Sequence, residues 1–323
     1  MLRALIVCSC IFLSTSCLAT TKKETNEFNK FILQTKQLAK KRGVSDKTLH
    51  RYLDSLKPPE LKHKKTLLSR KKNQAQAVLS FKQYIDRLVP SSKVIRARKE
   101  LMKNKKLLLN IQRKFHVRPE YIISLWAIES NFGHYTGRFP LIKTLVTLSI
   151  QQHRSKFYQK QLVDALVMLN AKHVIKEQLL SSWAGAMGQP QFIPNSYLHY
   201  AVDFDADGFK NIWTSLPDVL ASIANYLEKN HWKEDEPVII PAQLSKPLQA
   251  SSTLHFIDTL QWKKRGVTLN KKYHWSNLPK KAAFIHPKGS NASYLVFYNF
   301  KVLKRWNNTT FESLAVAILA EQI

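Results

Sequence analysis

The sequence predicts a mainly helical α+β protein, on three observations. Apolar residues recur at helical spacing in most segments before Trp232. After Trp232 the texture changes to short β-like runs separated by Pro, Ser and Asn. The composition, 44% apolar and 23% charged, is that of a chain able to bury a core, which excludes wholesale disorder. At 323 residues there is room for two or three packed lobes.

The first nineteen residues read as a secretory signal: Arg3, an apolar run from Ala4 to Leu13, then small residues up to Ala19. The run is shorter than the ~20 apolar residues a membrane helix needs. A cut after Ala19 removes Cys8, Cys10 and Cys17, the only cysteines, and leaves a chain suited to the bacterial periplasm. The alternative is lipidation at Cys17, although the preceding triplet lacks the aliphatic residue three places back. Three cysteines cannot supply a zinc cluster or a disulfide framework.

From Asn26 to Arg42, Phe28, Phe31, Ile32 and Leu38 share a helical face, and Gly43 stops it. Ser45 caps a second helix that ends before Pro58-Pro59, and Lys57 to Lys72 reads as an exposed connection. A Lys- and Leu-rich helix is expected from Val94 to Phe115. The next has Pro119 at its first position and Gly133 beyond its end, and is apolar nearly all round, so it should be buried. Leu162, Ala165, Leu166 and Leu169 mark another helix, and Leu220, Ile223, Ala224 and Leu227 a further one opened by Pro217. The β-like runs are Val238–Ile240, Leu254–Ile257, Ala282–Ile285 and Tyr294–Val302, and a helix from Phe311 to Ala320 closes the chain. The expected division is a signal at 1–19, a helical region at 20–93, a core at 94–233 and a small α+β part at 234–323.

Lys and Arg number 51 against 22 Asp and Glu, a net charge of +29. On an exported protein this points to phospholipid head groups or cell wall as the anionic partner, or to solubility alone. Export argues against nucleic acid.

Three elements carry chemistry. Glu129 ends the buried helix beside Trp126, Ile128 and Phe132. Such burial raises a carboxyl pKa and makes a general acid at neutral pH, unless the side chain turns to solvent or pairs with a cation. The segment Ser182 to Pro194 holds Gly185 and Gly188. It offers Ser182, Gln189 and Gln191 as neutral hydrogen-bonding groups suited to sugar hydroxyls, or else forms a tight packing turn. Asp203-Phe204-Asp205-Ala206-Asp207-Gly208 matches the start of a calcium loop, with the Phe209 carbonyl at the seventh place. Thr214 stands where an EF-hand has Glu, and Asp218 is the candidate to close a longer loop. A solvated acidic turn is the simpler alternative. There is no His-Glu-x-x-His, no Gly-x-Ser-x-Gly and no nucleotide glycine loop.

Together, the series Ile128–Gly133, Leu145–Ser149, Gly185–Pro194, Ala201–Gly208 and Ile223–Tyr226 resembles the lytic murein transglycosylase B family, over roughly residues 75 to 323. The resemblance implies a lysozyme-like catalytic core with an EF-hand-like Ca²⁺ loop. It implies cleavage of the β-1,4 bond between N-acetylmuramic acid and N-acetylglucosamine in peptidoglycan glycan strands, yielding a 1,6-anhydromuramoyl end without water. It assigns the acid/base to Glu129 and substrate contacts to Ser182, Gln191, Tyr226, Arg154, Trp306 and Asn307. The metal ligands fall on Asp203, Asp205, Asp207, the Phe209 carbonyl and Asp218. Two positions depart: Trp306 stands where the best-known branch has Tyr, and Ser155 replaces the second Arg of a pair. The expectation is a periplasmic monomer, with loose or lipid-anchored membrane association at Cys17 as the less favoured alternative, and with Glu129 the only metal-free carboxylate in its cleft. The competing readings are an inactive wall-binding scaffold, a lysozyme-like hydrolase, which would want a second carboxylate, a calcium-dependent structural protein and a basic nucleic-acid binder.

Overall fold

The computed structural model describes residues 11–59, 79–151, 154–171, 174, 179–244 and 254–323, with residues 11–24 as backbone only. The start of the expected signal and most of the Lys57–Lys72 connection lie outside the described residues. Those described fall into two units. The first draws on Met1–Arg70, Gly137–Met187 and Ile193–Leu198, and the second on Lys71–Thr136, Gly188–Phe192 and His199–Ile323. The units interleave along the chain, whereas the expected lobes run consecutively.

In the first unit the Ile11–Lys40 helix, which begins upstream of Ala19, packs with the Asp46–Leu53 helix against the Ser155–Asn170 helix. The buried face of the long helix is Phe28, Thr35 and Ala39, with Ile32 half-buried; Leu38 is exposed, a correction to the expected stripe. Thr35 enters this face because its hydroxyl donates to Phe31 O at 2.8 Å, so it carries no unmet polar group inside. Ser45 caps the second helix as expected, its Oγ accepting from Thr48 N at 3.3 Å. The helix stops at Leu53, short of the prolines. Leu162, Ala165, Leu166 and Leu169 are all buried on the Ser155–Asn170 helix. Asp164 on the same helix is fully buried and is matched by Arg42 Nη1 at 2.9 Å and Asn195 Nδ2 at 3.3 Å. The Leu141–Gln151 helix and a short ribbon, β1 (Phe139–Pro140) against β2 (Leu180–Ser181), also belong to this unit.

The second unit stacks helices beside an antiparallel sheet. Its longer helices among the described residues are Phe81–Leu88, Ser91–Lys103, Lys105–Phe115, Pro119–Ser130, Leu216–Lys229, Tyr298–Trp306 and Thr310–Ala320. The single helix expected over Val94–Phe115 is two. Asn104 breaks it by donating its side-chain amide to Glu100 O at 2.9 Å while its backbone leaves helical geometry. The sheet runs β4 (Ile257–Asp258), β6 (Lys281–Ile285), β7 (Ser293–Val296), β3 (Ile239–Leu244) and β5 (Val267–Leu269). Ile240, Ala242, Trp262, Leu295 and Phe297 form its core. The run Tyr294–Val302 is strand only to Val296. The remainder starts the Tyr298–Trp306 helix, because Asn299 is buried and ties to Lys233 N at 2.9 Å and to Lys233 O and Glu236 O at 2.7 Å. Pro119 opens its helix as expected, and Tyr121, Ile122, Ile123, Leu125, Trp126 and Ala127 are all buried. The Leu216–Lys229 and Thr310–Ala320 helices both pack on it.

Candidate active site

The Pro119–Ser130 helix ends in three successive left-handed residues, Asn131, Phe132 and Gly133 (φ 51°, 59° and 79°). Ser130 Oγ accepts from Gly133 N at 3.0 Å and holds the turn. Only glycine fits at 133: an added Cβ would lie 2.4 Å from Gln189 Oε1. Gln189 acts as a structural clamp. Its Oε1 accepts from Trp126 Nε1 at 2.6 Å, and its Nε2 donates to Trp213 O at 2.8 Å. Gly188, at φ 64°, lets that clamp sit against Ile212, where a Cβ would come 2.7 Å from the carbonyl.

Glu129 sits in the last turn of this helix. Trp306 Nε1 donates to its Oε1 at 2.7 Å. Burial, and after it the nearby charge of Glu312, pushes its carboxyl up to about 8, against the Trp306 hydrogen bond, so the group carries its proton at neutral pH. Among the described residues no cation forms an ion pair with it.

Glu129 is not a lone carboxylate, which corrects the expectation. Glu312, in the first turn of the Thr310–Ala320 helix, hydrogen-bonds to it. Asn307 Nδ2 donates to Glu312 Oε2 at 2.6 Å, so Asn307 serves this acid. Burial raises the Glu312 pKa, while Asn307 and Glu129 oppose the rise. Glu312 escaped the sequence reading because it lies 183 positions from Glu129 in a segment that reads as an ordinary helix start. The pairing of Thr309 as cap with Glu three places on was the available signal, and it speaks only of capping.

An aromatic wall stands beside the acids. Tyr226 is buried, with ring centroids 4.5 Å from Tyr200 and 4.6 Å from Trp306, and Phe192 lies 5.4 Å from Trp306. Burial and the neighbouring Tyr200 hold the Tyr226 hydroxyl far above the ordinary phenol range, so it stays a neutral donor. Gln191 is half-buried with φ 51°, its Nε2 donating to Gly188 O at 2.7 Å. Glu129, Tyr226 and Trp306 are thus brought together in one unit, with Asn307 one step behind through Glu312. Ser182 and Arg154 belong to the other unit. There Ser182 Oγ accepts from Ala186 N at 3.2 Å, and the exposed Arg154 guanidinium lies 4.3 Å over the Phe157 ring.

In the acidic loop, carboxylate oxygens of Asp203, Asp205 and Asp218 lie within 4.8 Å of one another. Asp207 stands outside this group. Its Oδ1 accepts from Phe209 N at 2.8 Å, which turns the loop. Asp218 is fully buried, and its two oxygens accept from Phe204 N and Asn211 N at 2.7 Å each. Burial raises its pKa, against those two backbone hydrogen bonds. None of the three acids has an ion pair to Lys or Arg among the described residues. Three carboxylates this close without a counter-charge are a donor set that fits a hard divalent cation such as Ca²⁺.

The second unit thus presents a half-buried glutamate at a helix end, beside aromatics and with an acidic loop in the same unit. The chain belongs to the transglycosylase SLT domain family, whose model matches residues 27–321. It is 28% identical over 219 residues to membrane-bound lytic murein transglycosylase B of Escherichia coli, a match covering 65% of this chain and 58% of the relative. The fold is that of SltB3 from Pseudomonas aeruginosa solved in complex with NAG-NAM-pentapeptide. The TM-score is 0.81 at 29% identity, over 91% of this chain and 79% of that one. The Escherichia coli lytic transglycosylase Slt35, solved in complex with calcium, shares the fold at TM-score 0.75 and 24% identity, over 91% of each chain.

Proposed function

We propose that this chain is a lytic transglycosylase that cleaves the bond between N-acetylmuramic acid and N-acetylglucosamine in peptidoglycan and closes a 1,6-anhydro ring. The observation that carries the reading is the placement of Glu129 at its helix end, where Trp306 Nε1 fixes its Oε1 at 2.7 Å beside Tyr226; a carboxyl held there and pushed up to about 8 suits a general acid at neutral pH. The family membership and the muropeptide-bound SltB3 support peptidoglycan as the substrate. Glu129 gives its proton to the leaving glycosidic oxygen as the C1–O bond breaks, and the muramic acetamide stabilises the charge at C1. The Glu129 carboxylate then takes the proton of the muramic C6 hydroxyl, whose oxygen bonds to C1. The C6 oxygen is tethered to the sugar, an advantage on the order of 10⁵ M in effective concentration over a free nucleophile. Tyr226, Gln191 and the Trp306 ring are the glycan contacts that this unit offers beside the acid.

The second acid gives the hydrolase reading a specific footing, but its position argues against it. Paired carboxylates of hydrolytic glycosidases stand about 5 Å apart when one attacks C1, and about 6.5–9.5 Å apart when one holds a water. Glu312 is engaged otherwise: its Oε2 accepts from Asn307 Nδ2 at 2.6 Å, and it acts on Glu129, whose carboxyl it pushes up. Muropeptides released from purified sacculi should therefore be lighter by one water than hydrated fragments. Mass spectra dominated by free reducing muramic ends would overturn the reading.

Asp203, Asp205 and Asp218, with Asp207 shaping the turn, would hold Ca²⁺ in a structural role. Calcium bound to the folded state alone raises its stability. The melting temperature should rise with added calcium and fall with chelator, and Asp205→Ala should abolish both responses. A wild-type melting curve that ignores chelator would make the loop a plain turn. Residues 1–19 support export to the periplasm, and no helix among the described residues is long and apolar enough to cross a membrane.

A further inference from the structure

The two acids occupy opposite helix ends. Glu129 lies in the last turn of its helix, where the dipole disfavours negative charge, and Glu312 in the first turn of its own, where the dipole favours it. Their polar partners are adjacent in sequence: Trp306 donates to Glu129 Oε1 at 2.7 Å and Asn307 to Glu312 Oε2 at 2.6 Å. One short segment thus fixes both carboxyls and orders the contact between them.

Resting on the function proposed above, we infer that Glu312 is a positioning residue for the catalytic proton: the pair shares one proton, with the charge on Glu312 and the hydrogen on Glu129. Two like charges in contact cannot both ionise readily, so the pair holds a proton more tightly than burial alone would hold it on either acid. The same contact serves the second half of the reaction. Once the Glu129 O–H breaks and the hydrogen bonds to the leaving oxygen, two carboxylates face each other. Their repulsion makes Glu129 a stronger base, which takes the C6 hydroxyl proton and restores the starting pair.

The other titratable groups near the pair leave this assignment intact. Tyr84, from the Phe81–Leu88 helix, faces both acids; burial, Glu312 and Glu129 push it up to about 12, so it is neutral. Tyr226, from the Leu216–Lys229 helix, reaches Trp306. The neighbouring cations are turned elsewhere: Arg96 lies over Phe132, Lys114 over Phe115 and Phe204, Lys304 donates to Asn308 O and Thr310 Oγ1, and Arg305 donates to Asn230 O. Neither these nor Lys93 forms an ion pair with the two acids among the described residues, and β3 brings no titratable side chain.

The test is a carboxyl ¹³C NMR titration of the full chain labelled at glutamate, with the Glu129 resonance assigned by its loss in Glu129→Gln. In Glu312→Gln the Glu129 midpoint should fall by about one pH unit or more, and the basic limb of kcat/KM on sacculi should move to lower pH by the same shift. Should that variant fail to fold, the wild type alone decides: both glutamate resonances must show the same two titration steps. Independent single-step titrations, or a midpoint unmoved in Glu312→Gln, would overturn the role of Glu312 while leaving the proposed function standing. A wild type that releases no anhydromuropeptides removes the proposed function and, with it, this role.

Discussion

Glu129→Gln should lose on the order of 10³-fold or more of its activity on sacculi while folding normally. Gln keeps an oxygen for Trp306 Nε1 and offers its amide hydrogens to Glu312, so both hydrogen bonds of the site survive. What it cannot do is release a proton to the leaving oxygen and then recover one. The same variant should be the more stable protein at high pH. The wild-type Glu129 holds its proton to about 8, whereas the unfolded chain loses it near the ordinary value of 4.5. Below 4.5 both states are protonated and the group has no effect. Between 4.5 and about 8 the folded state binds the extra proton, so wild-type stability declines as pH rises, by at most about 1.4 kcal/mol per unit. Gln removes that decline. Melting curves of the two proteins should coincide near pH 4 and separate by pH 8, with the variant higher. A full-activity Glu129→Gln, or one that melts lower throughout, would remove Glu129 from its role.

Asp218→Ala should cost roughly 3 kcal/mol, the largest stability loss expected from a change at one of the candidate metal ligands. The side chain is fully buried, and each oxygen accepts a backbone N–H at 2.7 Å, from Phe204 and from Asn211. Truncation leaves two donors without their acceptor, at about 1–3 kcal/mol apiece before the loop relaxes. In a chain of this length that corresponds to a melting temperature lower by about 4–5 °C. Asp218→Asn keeps one acceptor and should lose less. Both variants should also lose the response to calcium. An Asp218→Ala protein that melts within about a degree of wild type would mean that the loop is held by other contacts.

What was legible in the sequence was whatever one segment carries by itself. Pro119 and the unbroken apolar run fixed the buried helix, Ser45 marked a cap, and the alternate aspartates announced the loop. Errors arose where a side chain bonds to backbone outside the periodic pattern. Asn104 divides a helix that reads as continuous, and Asn299 turns the end of a β-like run into a helix. Gln189 looked like a sugar ligand because its partners, Trp126 and Trp213, lie far off in sequence. Glu312 is the main omission. Nothing local separates it from a helix-capping glutamate, and only the packing of the Thr310–Ala320 helix on the Pro119–Ser130 helix brings it to Glu129.

Digestion of sacculi in ¹⁸O-labelled water shows which oxygen closes on C1. If the C6 hydroxyl attacks, every new muramic end is an anhydro ring, free of ¹⁸O and lighter by one water. One ¹⁸O at C1 for each bond broken, on ends of hydrated mass, would show that water is the nucleophile and would contradict the account.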